Sequence, residues 1–279
     1  MKKYLFVLLS LVLMVFTACS EIAGDLVSKN FSNPGSYTEL EVANAFNVTV
    51  SESATQITVT TGENIMPDVV VEKSGDKLKI YITGSHWGLG TENRVVLPYN
   101  PDLRTVDLSG ASEFHSEYAL EGGKVEIELS GASEFYCDID ADFAEIELSG
   151  ASDFVGDLLI DEIDMSLSGA SNIEGVVDAL DFYLEMTGGS DASFEGRTER
   201  LVLNLNGASN ILRKVVGHYY AFVCDELEGT ISGGSNAYLH CLSSIMVSLS
   251  GGSELHYTGD ASTAGSEISG GSDIIHDVL

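Results

Sequence analysis

Basic residues are scarce: 13 Lys and Arg stand against 43 Asp and Glu, giving a formal net charge of −30 over 279 residues. That balance excludes a nucleic-acid surface or docking on anionic lipid head groups, since both need a basic footprint. Four prolines, one tryptophan and four cysteines complete the scarcities. Past Cys19 only Cys137, Cys224 and Cys241 remain, an odd and sparse set that gives no disulfide framework. Cys224 and Cys241 are either brought together on neighbouring coils or left as separate buried thiols. The six histidines form no HExxH string and no zinc-type cluster with cysteine, and the recurrent GAS and GGS strings lack the flanks of a GxSxG elbow.

One long apolar run exists, at the very start. In "MKKYLFVLLSLVLMVFTACS", Lys2 and Lys3 precede an uncharged stretch from Tyr4 to Phe16 and a small-residue approach to Cys19. This reads as a secretory signal, too short for a spanning helix. The cysteine directly after "FTA" resembles a bacterial lipoprotein cleavage box, which implies removal of residues 1–18 and acylation of Cys19. Acyl chains add about 0.8 kcal/mol per buried methylene, so the partner implied first is a membrane, held through lipid. Without Lys2 and Lys3 the mature chain carries 11 basic and 43 acidic side chains, a formal charge of −32. The polar stretch 20–36 reads as a flexible tether.

What the chain has in abundance is one short phrase. "SGASEF" at 109–114 returns as "SGASEF" at 130 and "SGASDF" at 149, and its variants begin at 168, 187, 206, 232, 250 and 269. The modal period is 19 residues. Before each copy, apolar residues alternate with polar ones, as in "VEIEL" at 125–129 and "AEIEL" at 144–148, which is the period of a half-buried strand. Nineteen residues leave no room for an amphipathic helix of ten or more. At about 3.3 Å per residue they trace one slim turn on the order of 60 Å around, so the expected fold is all-β: a right-handed parallel β-helix, or solenoid, of stacked coils.

Stacking assigns a role to each position. Ile127, Ile146, Met165, Leu184 and Leu203 are expected in one interior ladder, Leu129, Leu148, Leu167, Met186 and Leu205 in a second, and Phe114, Phe135 and Phe154 in a third. The glycine of each corner supplies positive φ or close approach, so Gly150→Val is expected to break its corner. The 26-residue step between Asn206 and Ser232 adds about seven residues to one coil, from which Arg213, Lys214, His218, Tyr219 and Tyr220 are expected to bulge. Residues 37–98 keep the alternation without the phrase and are read as an N-terminal lead-in and cap. A single β-helix domain is thus expected over 37–279, with 37–108 as lead-in and 109–279 as repeat coils.

The lead-in ending "RVVLPYNPDLRTVDLSGAS", followed by recurrent "LSGAS" and "LSGGS" units, resembles the autotransporter adhesin family with a head GIN domain, found in bacterial envelope proteins. The resemblance covers about residues 37–279 and implies a β-helical adhesin. No pore domain or long heptad region accompanies it, so the chain looks like a lipid-anchored relative.

Candidate sites follow from the same pattern. The fifth position of the phrase holds Glu113, Glu134, Asp153, Asn172, Asp191, Asn210, Asn236, Glu254 and Asp273, a single column of acceptors if the register holds. Adjacent carboxylates must splay, shift their pKa or share a cation, so weak calcium binding is one expectation and simple hydration the other; no cofactor is required. Glu113, Glu134, Asp153 and Asp191 are the candidate binding residues of the column. In "GSHWGLG" at 84–90, His86 and Trp87 either stack on a sugar or partner ring, or Trp87 folds back over the open end of the core. Catalysis on glycans is disfavoured, because chance carboxylate pairs are inevitable among 43 acidic residues and the repeats hold few basic side chains. The function expected is non-enzymatic adhesion at the cell surface of the outer membrane, toward extracellular matrix, glycan or envelope protein. The alternative is a structural or regulatory partner facing the periplasm.

Overall fold

The computed structural model describes residues 23–84 and 92–279. Strands dominate, and the repeat region is a parallel β-solenoid whose successive coils pair in register. The three expected ladders are present. Ile127 pairs with Ile146, Ile146 with Met165, Met165 with Leu184 and Leu184 with Leu203, and the Leu129 series runs beside them. All of these side chains are buried. Phe114, Phe135 and Phe154 stack at centroid separations of 5.3 and 5.0 Å. Because side chains alternate across a strand, one residue of slip would turn every ladder outward, so the apolar pattern fixes the register.

The corners explain the phrase itself. Gly150 has φ 79°, and a Cβ there would overlap the carbonyl oxygen of Gly131, the equivalent glycine one coil earlier. Gly169, Gly188, Gly207 and Gly233 repeat that approach, so the glycines stack backbone on backbone. The fourth residue is a serine for a different reason. Ser112, Ser133, Ser152, Ser171, Ser190, Ser209, Ser235 and Ser253 are wholly buried. In all of these but Ser235 the hydroxyl donates to the carbonyl three residues back, for example Ser152 Oγ to Ser149 O at 2.8 Å. The hydroxyl thereby closes the turn and gains the partner that a buried polar group needs.

The lead-in joins the same core. Glu39–Val42 pairs in parallel with Lys77–Ile82 on one side and Thr105–Leu108 on the other, and Phe46–Ser51 does the same with Asn93–Pro98 and Glu113–His115. Antiparallel strands then cover this end: Ile57–Gly62 against Asn93–Pro98, and Val69–Ser74 against Lys77–Ile82.

Two expectations need correction. The tether does not extend to residue 36, because Leu26–Phe31 is a strand antiparallel to Ile57–Gly62. Its side chains are mostly exposed, so backbone pairing at a sheet edge holds it rather than burial. The long coil does project a hairpin, Val215–Val216 against Tyr219–Tyr220, but Tyr220 turns inward and is buried. Its hydroxyl donates to Asp277 and its amide to Thr258 Oγ1, so the insertion clasps the last coils. Among the described residues, no helix is long and apolar enough to cross a membrane.

Candidate functional site

The short strands that follow each corner have one side chain inward and two outward. The inward one belongs to the Phe114 ladder. The first outward one is the acceptor column, and its register is unbroken: Glu113, Glu134, Asp153, Asn172, Asp191, Asn210, Asn236, Glu254 and Asp273 pair rung to rung, with Asn47 of the lead-in extending the line beside Glu113. Glu113, Glu134, Asp153 and Asp191 therefore share one face of the solenoid.

Amides and phenols relieve the crowding of carboxylates. Asn47 donates to Glu113, Asn172 Nδ2 to Asp153 at 2.7 Å, and Asn210 Nδ2 to Asp191 at 2.8 Å. Asn236 Nδ2 continues the chain to Asn210 Oδ1 at 3.1 Å. Glu134 instead accepts from Tyr136 at 2.6 Å. That bond, with burial second, pushes the Tyr136 hydroxyl up to about 12, so it remains a protonated donor at neutral pH. Among the described residues, no group of three or more His, Cys, Asp or Glu side chains is arranged to hold a metal ion.

A second outward column runs two residues further along each strand and has no counterpart among the repeats visible in the sequence. His115, Tyr136, Val155, Glu174 and Ser193 occupy it in register. His115 and Tyr136 stack at 4.4 Å and 8° between planes, and further along Tyr238 stacks on His256 at 4.7 Å. Between the two columns lies a shallow depression of about 360 Å³, bordered by Tyr136, Asp153, Val155, Asn172, Asp191 and Leu212. Lys214 of the hairpin reaches over its neighbourhood to Glu174 at 3.0 Å and Glu195 at 3.4 Å. The signal that would have revealed this column is the i+2 position after each acidic residue. Its residue types vary too much to register as a repeat.

A different face carries a depression of about 430 Å³ lined by Glu121, Asp140, Asp142, Asp161 and Asp178 around Leu159 and Leu180. It has no aromatic wall. The expectations for Cys19, His86 and Trp87 lie outside the described residues.

With flat, regular columns of acceptors and stacked rings, the geometry suits contact with an extended surface. Known proteins share the architecture. No curated protein matches the chain. Two crystal structures, each described as a "putative adhesin", resemble it. One, from Parabacteroides merdae, has 17% identity and a TM-score of 0.63 over 91% of this chain and 97% of that one. The other, from Parabacteroides distasonis, has 18% identity and a TM-score of 0.60 over 91% and 95%. A P. distasonis structure described as a "Putative lipid binding protein" gives 17%, 0.59, 91% and 97%. At such identities the likeness speaks for the fold. The family model described as "Putative auto-transporter adhesin, head GIN domain" matches residues 36–175 and again 154–261. Those two overlapping matches take in the lead-in and most of the coils, and the chain belongs to that adhesin-head family.

Proposed function

We propose that this chain is a non-enzymatic, lipid-anchored adhesin of the bacterial envelope, tethered through Cys19 at the outer surface of the outer membrane. It holds an extended, hydroxyl-bearing polymer along the two-column face. The observation that carries this reading is the unbroken register of acceptors beside stacked His115 and Tyr136, repeated at the rung spacing of about 4.8 Å. Repetition at that pitch fits a repeating ligand better than a small molecule, and membership of an adhesin-head family points the same way. Carboxylates disfavour sulfated or uronic polymers, so a neutral glycan or a neutral matrix polypeptide fits best.

The test is binding of the purified chain to immobilised neutral and sulfated polysaccharides. Wild type should bind a neutral polymer, and the double variant Tyr136→Ala, Asp191→Ala should lose at least tenfold in affinity while melting within a few degrees of wild type. Equal binding by both proteins would refute the face. Protease treatment of intact cells separates the surface reading from the periplasmic one: cleavage only after lysis would favour an internal structural or regulatory partner.

A further inference from the structure

The interior column that runs through Ala141, Ile160 and Ala179 continues through Thr198 to Cys224 and then Cys241. The two cysteines are direct Cα partners on adjacent parallel strands, their side chains both point into the core, and neither is exposed at all. Their sulfurs are 3.3 Å apart. Neighbouring strands lie about 4.8 Å apart, inside the Cα separation of roughly 4.4–6.8 Å that a disulfide needs. The sulfurs must still close from 3.3 Å to the bond length of about 2.05 Å.

The location within the stack is informative. Immediately after this rung the pairing slips: Cys224 faces Cys241, yet Glu226 faces Ser244. The slip falls just after the coil that contains the inserted hairpin. A covalent link here would fix the register at the one place in the repeats where coil length changes by several residues. Cys137, by contrast, sits in another part of the core and donates to Tyr118 O and Asp138 O.

We propose that Cys224 and Cys241 form an inter-coil disulfide when the chain folds outside the cytoplasm; this rests on the envelope location proposed above. The oxidant is a protein or small-molecule disulfide. The thiolate of one cysteine attacks it and releases one of its thiolates, forming a mixed disulfide. The second cysteine thiolate then attacks the protein sulfur of that bond and releases the other. Two protons leave the thiols of Cys224 and Cys241, two electrons reduce the oxidant's disulfide to two thiols, and one S–S bond forms. Because both sulfurs are sealed in the finished core, the exchange takes place before the two coils close. Afterwards the same burial shields the bond from reductants.

Peptide mapping by mass spectrometry decides the matter in two samples. One is the chain purified from an exporting host with free thiols blocked at lysis. The other is the chain unfolded, reduced and refolded through a glutathione redox buffer. Each is then denatured and alkylated without reductant. In the refolded sample, a linked peptide pair containing Cys224 and Cys241, about 2 Da lighter than the two thiol peptides as loss of two hydrogens requires, with Cys137 alkylated, supports the pairing. Alkylation of both Cys224 and Cys241 there, or a link to Cys137, overturns it. If the refolded sample forms the bond and the exported one does not, the proposal fails at the location and not at the geometry.

Discussion

Replacing Gly150 by alanine should be among the most damaging single-methyl additions in the protein, and its cost can be built from parts. At φ 79° an L-residue costs about 1–2 kcal/mol. The added Cβ would overlap the Gly131 carbonyl oxygen and lie 3.1 Å from that residue's nitrogen and carbonyl carbon. Relieving this overpacking costs about 1–3 kcal/mol. The carbonyl that must move is the acceptor for Ala151 N–H at 2.8 Å, so about 1 kcal/mol of hydrogen bonding is weakened as well. The total is about 3–6 kcal/mol, and at about 2–4 °C per kcal/mol for a domain of this size the melting temperature should fall by roughly 6–24 °C. Gly75→Ala is the control. Gly75 has φ 62°, but nothing lies within 4 Å of the place its new methyl group would take, so it should lose only the backbone share, about 1–2 kcal/mol. Thermal unfolding followed by far-UV circular dichroism compares the two. A Gly150→Ala melting point no lower than that of Gly75→Ala would refute the idea that the corners demand glycine through coil-to-coil contact.

Further expectations concern the serines, the column and the clasp. Ser171→Ala removes a buried donor that reaches Ser168 O at 2.9 Å and should cost about 1–2 kcal/mol by denaturant titration, whereas Ser235→Ala, whose hydroxyl has no partner, should cost close to nothing; equal losses would dismiss the corner hydrogen bond. Asn172→Asp deletes the donor to Asp153 and joins Glu113, Glu134, Asp153 and Asp191 into an uninterrupted run of five carboxylates, so the new group's pKa is raised by its neighbours. Its penalty should grow as pH rises through that value, nearly vanish below about pH 4 and shrink in salt, and a melting-point deficit independent of both would rule this out. Tyr220→Phe unfastens Asp277: burial favours the protonated acid there, but hydrogen bonds from Tyr220 and His256, with the charges of His256 and Arg213, hold the carboxyl below its usual range. Such a group stabilises the fold above its unfolded pKa and stops doing so as pH falls through the folded one. The variant should therefore speed amide exchange in Glu254–Thr258 and Asp273–His276 at neutral pH and lose less stability on acidification, and unchanged exchange would dismiss the clasp.

The interior of this protein is legible in its sequence because period-two alternation and a 19-residue recurrence both report the same periodic object. Ile127, Ile146, Met165, Leu184 and Leu203 are similar residues doing one job, so inspection finds them. Features that depend on partners far along the chain are not legible in this way. Tyr220 belongs to the core only because Asp277 and Thr258 lie 57 and 38 residues downstream, and nothing local in "GHYY" distinguishes it from its exposed neighbour Tyr219. Leu26–Phe31 has no apolar alternation, since main-chain pairing with Ile57–Gly62 holds it. The buried serines are visible as a repeat, but their chemistry is not, because a hydroxyl closing its own turn leaves no trace in hydropathy. Half of the candidate face is legible for the opposite reason: Glu, Asp and Asn recur at one position, while His115, Tyr136, Val155, Glu174 and Ser193 share only a direction.

That direction is what the interior makes available. Ladders and glycine corners fix the register from within, so the outward positions are not needed to set it and can vary in chemistry. They remain subject to one constraint, that like charges a rung apart repel. The column meets it locally: Glu113 takes a donor from Asn47, Glu134 from Tyr136, Asp153 from Asn172 and Asp191 from Asn210. Each of these carboxylates is thus steadied by at least one bond, Glu113 also lying 3.3 Å from His115 Nε2, and keeps further lone pairs free, because an ionised carboxylate accepts several. The free lone pairs present a row of acceptors to solvent. A partner that satisfies them must bring donors at a similar spacing and no negative charge of its own, with apolar ring faces to meet His115 and Tyr136. A neutral polymer rich in hydroxyl groups meets all of these demands, and a sulfated one fails the second.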